Sequence, residues 1–182
     1  MEMKNRTADY ELIAEEIREL AKSEPHWLPV LANTSAVLYD ALPDLNWVGF
    51  YLTTGDAGLL LGPFQGKPAC IRIPCGRGVC GTALAEDRIV RVPDVHTFPG
   101  HIACDSASRS EIVLPVHAAG PADTCTGGGN AADNRARRVF AVLDIDSPVP
   151  ERFTEEDEAG LAQIVRVLEE TVNFGGGAVW NL

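Results

Sequence analysis

The run Trp47-Val48-Gly49-Phe50-Tyr51-Leu52-Thr53 decides the fold, because the apolar pattern changes there from helical to extended. Before it, Tyr10, Ile13, Ile17 and Leu20 recur at helical spacing, and a second helix is expected over 27–42 with Leu31 and Leu38 inward. From it onward the apolar residues come in short runs bounded by turn residues: 47–53, 59–64, 70–73, 89–92, 112–116 and 139–145. A last helix begins at Thr154, whose hydroxyl suits an N-cap before Glu155, Glu156 and Asp157, with Leu161, Ile164, Val165 and Leu168 as its buried stripe. Helices at both ends of a strand-rich centre predict an α+β fold: a six-stranded, mainly antiparallel sheet with the N- and C-terminal helices packed on one face. No repeat or linker divides the chain, so 1–182 reads as one domain, with 117–138 a flexible insertion in a strand–strand loop around Gly127-Gly128-Gly129.

Composition narrows the function classes. A chain of 182 residues with 46% hydrophobic residues can bury a substantial core. A formal charge of −11 without a basic stripe excludes a phosphate-backbone partner. No apolar run approaches the roughly 20 residues that span a bilayer, and the first residues form no apolar leader, so a cytoplasmic protein is expected. Five cysteines, an odd number, argue against a fully paired secreted framework.

The cysteines carry the chemistry. Cys80 lies in Gly78-Val79-Cys80-Gly81-Thr82, read as a glycine-rich turn before a helical run over 82–87, where backbone donors would favour its thiolate and lower its pKa. Cys104 follows Pro99 and Gly100 in a polar stretch that reads as an exposed loop. Cys70 opens a short alternating run and is expected on the less apolar face of a strand. The spacing of Cys70, Cys75 and Cys80 lacks the close pairs of structural zinc sites, so no metal is expected. Burial as small apolar residues is the alternative for any one of these cysteines. Asp144 and Asp146, two apart on an expected strand, face one pocket, and Glu111 joining them would raise at least one carboxyl pKa and supply a proton donor. Trp47 and Tyr51, four apart, share a strand face and suit an apolar slot, or else simply fill the core.

Asn46-Trp47-Val48-Gly49-Phe50-Tyr51-Leu52, Gly62-Pro63-Phe64-Gln65-Gly66, the three cysteines Cys70, Cys80 and Cys104, Ser110 to Val116, and Val142 to Ser147 together resemble the free methionine-(R)-sulfoxide reductases, a catalytic branch of the GAF fold. The resemblance implies a thiol-dependent reductase acting on free L-methionine (R)-sulfoxide. Cys104 would be the nucleophile, Cys70 the resolving thiol and Cys80 an alternative resolver; Glu111, Asp144 and Asp146 would supply acid chemistry and substrate contacts, and Trp47 and Tyr51 would bind the S-methyl group. It implies a sulfenic acid, an intramolecular disulfide, recycling by an external dithiol such as thioredoxin, no bound cofactor and a homodimer. Two features depart from the family: the 117–138 segment with its extra Cys125, and Cys75 where a bulky apolar residue is expected. A non-catalytic GAF domain sensing a small ligand, or a thiol redox sensor, is the competing reading.

Overall fold

Capped amphipathic helices flank a single sheet in the computed structural model, which describes residues 8–54, 58–100, 106–119 and 137–174. Helix α1 (Tyr10–Ser23) starts where the Asp9 carboxylate accepts the Leu12 amide, and it buries Ile13, Ala14, Ile17 and Ala21. Helix α2 (Trp27–Ala41) buries Leu31 and Leu38, as its pattern predicted. The C-terminal helix α4 (Glu155–Thr171) opens on a capping box: Thr154 accepts from the Asp157 amide while the Asp157 carboxylate accepts from the Thr154 amide. That carboxylate also accepts from the Tyr10 hydroxyl and pairs with Arg152 at 3.1 Å, which locks α1 to α4. Gly160 is required there, since a Cβ would stand 2.2 Å from the Tyr10 ring.

The sheet order is β3-β2-β1-β6-β5-β4, and every neighbouring pair is antiparallel. Its strands are β1 (Trp47–Thr54), β2 (Gly58–Gly66), β3 (Arg72–Pro74), β4 (Val90–Val92), β5 (Ser110–Ala119) and β6 (Arg137–Ser147). Alternation divides the residues of the three central strands between two faces. Val48, Phe50, Ile112, Leu114, Leu143 and Ile145 face α1, α2 and α4 and form the main core. Full burial of such side chains contributes about 1.5–3 kcal/mol each, so this face carries most of the fold's stability. The opposite face carries Trp47, Tyr51, Val113 and Val142 and is covered by α3 (Gly78–Glu86).

Three boundaries differ from the sequence reading. Helix α3 begins at Gly78, so Cys80 lies within a helix rather than in a turn before one. Gly81 permits this by letting α3 lie against the preceding turn, where a Cβ would meet the Pro74 carbonyl at 2.4 Å. Strand β3 starts at Arg72, which leaves Cys70 in the connection before it. Finally, His117 pairs with Val139, Ala118 with Arg138 and Ala119 with Arg137, so both ends of the expected insertion are strand. Backbone pairing needs no apolar side chain, and the residues there carry no strand pattern. Residues 120–136 lie outside the described residues. Among the described residues no helix is long and apolar enough to cross a membrane.

His117 ties three elements together. Its Nδ1 lies 2.7 Å from Glu169 on α4, its Nε2 lies 2.7 Å from Asp87 at the end of α3, and its amide donates to Glu169 at 2.9 Å. The hydrogen bond to Glu169, opposed in part by burial and aided by Asp87, raises the imidazole pKa. The raised folded-state value means the clasp stabilises fully below the ordinary imidazole pKa of 6.5 and loses this contribution as pH rises through the folded value. The melting-temperature gap between the protein and its His117→Asn variant is therefore expected to be largest in mild acid and to shrink as pH rises. A gap that does not change with pH would show that the imidazolium plays no part.

Candidate active site

The candidate site lies on the α3 side of the sheet, and strand register builds it. One row across the sheet runs Phe64, Gly49, Asp144, Val113, Val90, and the adjacent row runs Trp47, Asp146, Glu111, Val92. Antiparallel pairing thus sets Glu111 directly opposite Asp146, with Asp144 one pleat further along β6 on the same face. The two-residue spacing of Asp144 and Asp146 was readable as a shared face, and Glu111 joins them as expected. Helix α3 lowers Cys80 onto this patch. Its thiol points at Glu111, with Sγ 3.9 Å from Oε1, and Cys80, Glu111 and Asp144 are 4%, 6% and 6% exposed.

Burial governs the charge states. It raises the Glu111 pKa well above the ordinary carboxyl range, and the neighbouring Asp144 and Asp146 charges push it in the same direction. Burial also lifts Asp144, to about 6. The two titrate together, and we assign the retained proton to Glu111, which donates to an Asp144 carboxylate. Asp144 Oδ1 is fully buried and has no hydrogen-bond partner among the described residues, so it is placed to accept from a ligand.

Cys80 corrects the sequence reading. Its thiol pKa is raised well above the ordinary value, first by burial and then by the Asp144 and Glu111 charges, where a glycine-rich turn suggested a lowered one. The positive end of α3 is outweighed by two buried carboxyls. Cys80 is accordingly a protonated thiol donating to the acid cluster. Cys80 Sγ and one oxygen each from Glu111 and Asp144 lie within 4.8 Å of one another, close enough to share protons.

Beside the acids stands an aromatic wall. The Trp47 ring stacks on Phe64 at 5.4 Å between centroids and on Tyr51 at 5.7 Å. The Trp47 indole N–H donates to the Lys67 carbonyl at 3.1 Å, and the Tyr51 hydroxyl donates to the Cys70 carbonyl at 3.0 Å. Phe64 was not singled out by sequence reasoning as part of this wall. The signal was Gly49, a glycine inside a strong strand, which marks a close approach. A Cβ on Gly49 would lie 2.4 Å from Phe64 Cβ and 2.6 Å from the Trp47 ring. Gly49→Ala is therefore expected to cost about 1–3 kcal/mol by overpacking and to shift the indole fluorescence. An unchanged melting temperature and spectrum would show that the wall yields freely.

The remaining thiols separate clearly. Cys70 is a free, half-buried thiol packed beside this face, in the segment that Tyr51 holds. Cys75 is disulfide-bonded. Cys104, the expected nucleophile, and Cys125 lie outside the described residues.

Comparison with known proteins places this geometry. The GAF domain family model matches residues 10–172. The chain is 49% identical to the free methionine-R-sulfoxide reductase of Escherichia coli over 92% of this chain and 91% of that protein. Its fold matches the reduced form of fRMsr from Staphylococcus aureus with a TM-score of 0.79 and 42% identity, covering 92% of this chain and 97% of the other. It matches the free methionine-R-sulfoxide reductase of Neisseria meningitidis, solved in complex with its substrate, with a TM-score of 0.75 and 40% identity, covering 89% and 87% of the two chains.

Proposed function

We propose a reaction for a chain that belongs to the GAF domain family and, within it, to the free methionine-(R)-sulfoxide reductases: it reduces free L-methionine (R)-sulfoxide to L-methionine with thiol electrons. The observation that carries this reading is the buried cluster of Glu111, Asp144 and Cys80 next to the wall formed by Trp47, Tyr51 and Phe64. A sulfoxide needs both halves of such a site. Its S-methyl end is apolar and polarisable and suits aromatic faces. Its oxygen is a strong acceptor that becomes a better leaving group once protonated.

The Cys104 sulfur attacks the sulfoxide sulfur while Glu111 gives its proton to the sulfoxide oxygen. The attack forms a bond between the two sulfurs; the hydroxyl then passes from the substrate sulfur to Cys104 as that sulfur–sulfur bond breaks, so methionine leaves with the electron pair and Cys104 holds a sulfenic acid. The Cys70 thiol then attacks that sulfenic sulfur, forming the disulfide as the oxygen departs as water. An external dithiol of the thioredoxin class reduces the disulfide and becomes oxidised itself. Asp144, through its unpartnered oxygen, and Asp146 accept in this reading from the ammonium of a free amino acid, which a peptide-bound residue lacks. Cys80, protonated and donating to Glu111, helps orient the acid, so we favour Cys70 over Cys80 as the resolving thiol.

The test is turnover of the separate R and S epimers of methionine sulfoxide, free and within a peptide, with dithiothreitol or a thioredoxin system as reductant. Turnover confined to the free R form is expected. No turnover of any form by folded, reduced protein would overturn the proposal, and binding without turnover would make the chain a ligand-sensing GAF domain.

A further inference from the structure

The segment 67–71 joins β2 to β3 and carries Cys70, and hydrogen bonds from described residues hold it at Lys67, Cys70 and Ile71. Two come from the aromatic wall: the Trp47 indole reaches the Lys67 carbonyl at 3.1 Å, and the Tyr51 hydroxyl reaches the Cys70 carbonyl at 3.0 Å. The third is the Leu61 amide donating to the Ile71 carbonyl at 2.9 Å. Ile71 itself is 69% exposed, so packing of its side chain does not hold the segment. Tyr51 is 1% exposed and stacked on Trp47, so its hydroxyl is a fixed donor and not a mobile one.

We propose that Tyr51 is a positioning residue for the resolving thiol: its phenol holds the Cys70 backbone and so narrows the range of positions from which the Cys70 sulfur attacks. This rests on the reading of Cys70 as the resolving thiol. In that step the Cys70 sulfur bonds to the sulfenic sulfur, the S–O bond breaks, and the oxygen leaves as water with the Cys70 proton. The rate of such an intramolecular closure depends on how much of the time the two sulfurs stand in reacting geometry. A phenol fixed on the carbonyl of the reacting residue itself raises that fraction. The aromatic wall thus has two tasks, one toward the substrate and one toward the thiol that completes the cycle.

A single-turnover experiment tests this. Reduced protein is mixed with free methionine (R)-sulfoxide in the absence of reductant, and at timed intervals the sulfenic acid is trapped with a cyclic dione and the disulfide counted. The readout is the closure rate per sulfenic acid formed, which is insensitive to how much substrate reacts. Tyr51→Phe, which keeps the ring and removes the hydroxyl, is expected to close about fivefold more slowly, the worth of one lost buried hydrogen bond. Cys70→Ser is expected not to close. If Tyr51→Phe closes at the unmodified rate while Cys70→Ser does not close, the positioning role falls and the resolving role of Cys70 stands. If Cys70→Ser closes at the unmodified rate, through another thiol, both fall. Should Tyr51→Phe fail to fold, Trp47→Phe removes the indole N–H from the Lys67 carbonyl and carries the same expectation.

Discussion

Cys104→Ser is expected to abolish turnover of free methionine (R)-sulfoxide, by at least about a thousandfold, while leaving substrate binding in place. The first step deposits oxygen on the attacking atom, and a serine hydroxyl is both a weak nucleophile and unable to carry that oxygen as a sulfenic acid. The described cysteines do not substitute for it. Cys80 is held protonated by burial and two carboxyls, and Cys75 is committed to a disulfide. Cys70 is the free thiol that the second step needs. Binding should survive because Trp47, Glu111 and Asp144 are untouched, and quenching of Trp47 fluorescence by substrate measures it. Unchanged turnover would remove Cys104 from the nucleophile role.

Glu111→Gln is expected to lower kcat by about a hundredfold to ten-thousandfold, the usual span of general acid catalysis. Glutamine keeps the shape and a hydrogen-bond donor but has no proton to transfer, so KM should move far less than kcat. The pH dependence gives an independent check. Glu111 acts in its protonated form, so kcat should fall as pH rises through its raised pKa, and the glutamine variant should lose that limb. Stability should fall with rising pH as well. A carboxyl whose pKa is raised on folding favours the folded state most fully at low pH and loses that contribution as pH rises through the folded value. At neutral pH the glutamine variant is therefore expected to melt no lower than the unmodified protein. A variant that melts lower and loses kcat in proportion would assign Glu111 a structural role only.

Much of this site was legible in the chain because strand chemistry is local. The alternation around Leu143-Asp144-Ile145-Asp146 put both carboxylates on one face before any tertiary contact was known, and β5 supplied Glu111 by pairing. Helices α1, α2 and α4 were equally local, each with its buried stripe, and Thr154 marked the cap of the last. What escaped was tertiary. The environment of Cys80 depends on how far α3 descends onto the sheet, which Gly81 decides through a contact with Pro74. Phe64 enters the site because pairing sets it directly opposite Gly49, whose missing side chain lets the ring stack on Trp47, and no single-strand pattern encodes that pairing. The strand ends at 117–119 and 137–138 were hidden because His117, two alanines and two arginines carry no strand pattern, yet their backbones pair all the same.

The alternation on β1, β5 and β6 also bears on how such a protein can change over generations. Neighbouring residues on these strands answer to different demands: Leu143 and Ile145 are constrained by shape among the helices, Asp144 and Asp146 by the chemistry of the proposed site. Point substitutions can therefore explore new substrates without eroding the scaffold, or renew the scaffold without touching catalysis. Loss or gain of one residue within β6 is another matter. It would exchange the two sets at once, turning carboxylates toward the helices and leucine toward the chemistry. Lineages of this fold are thus expected to vary by substitution along these strands and to confine changes of length to the connections between them.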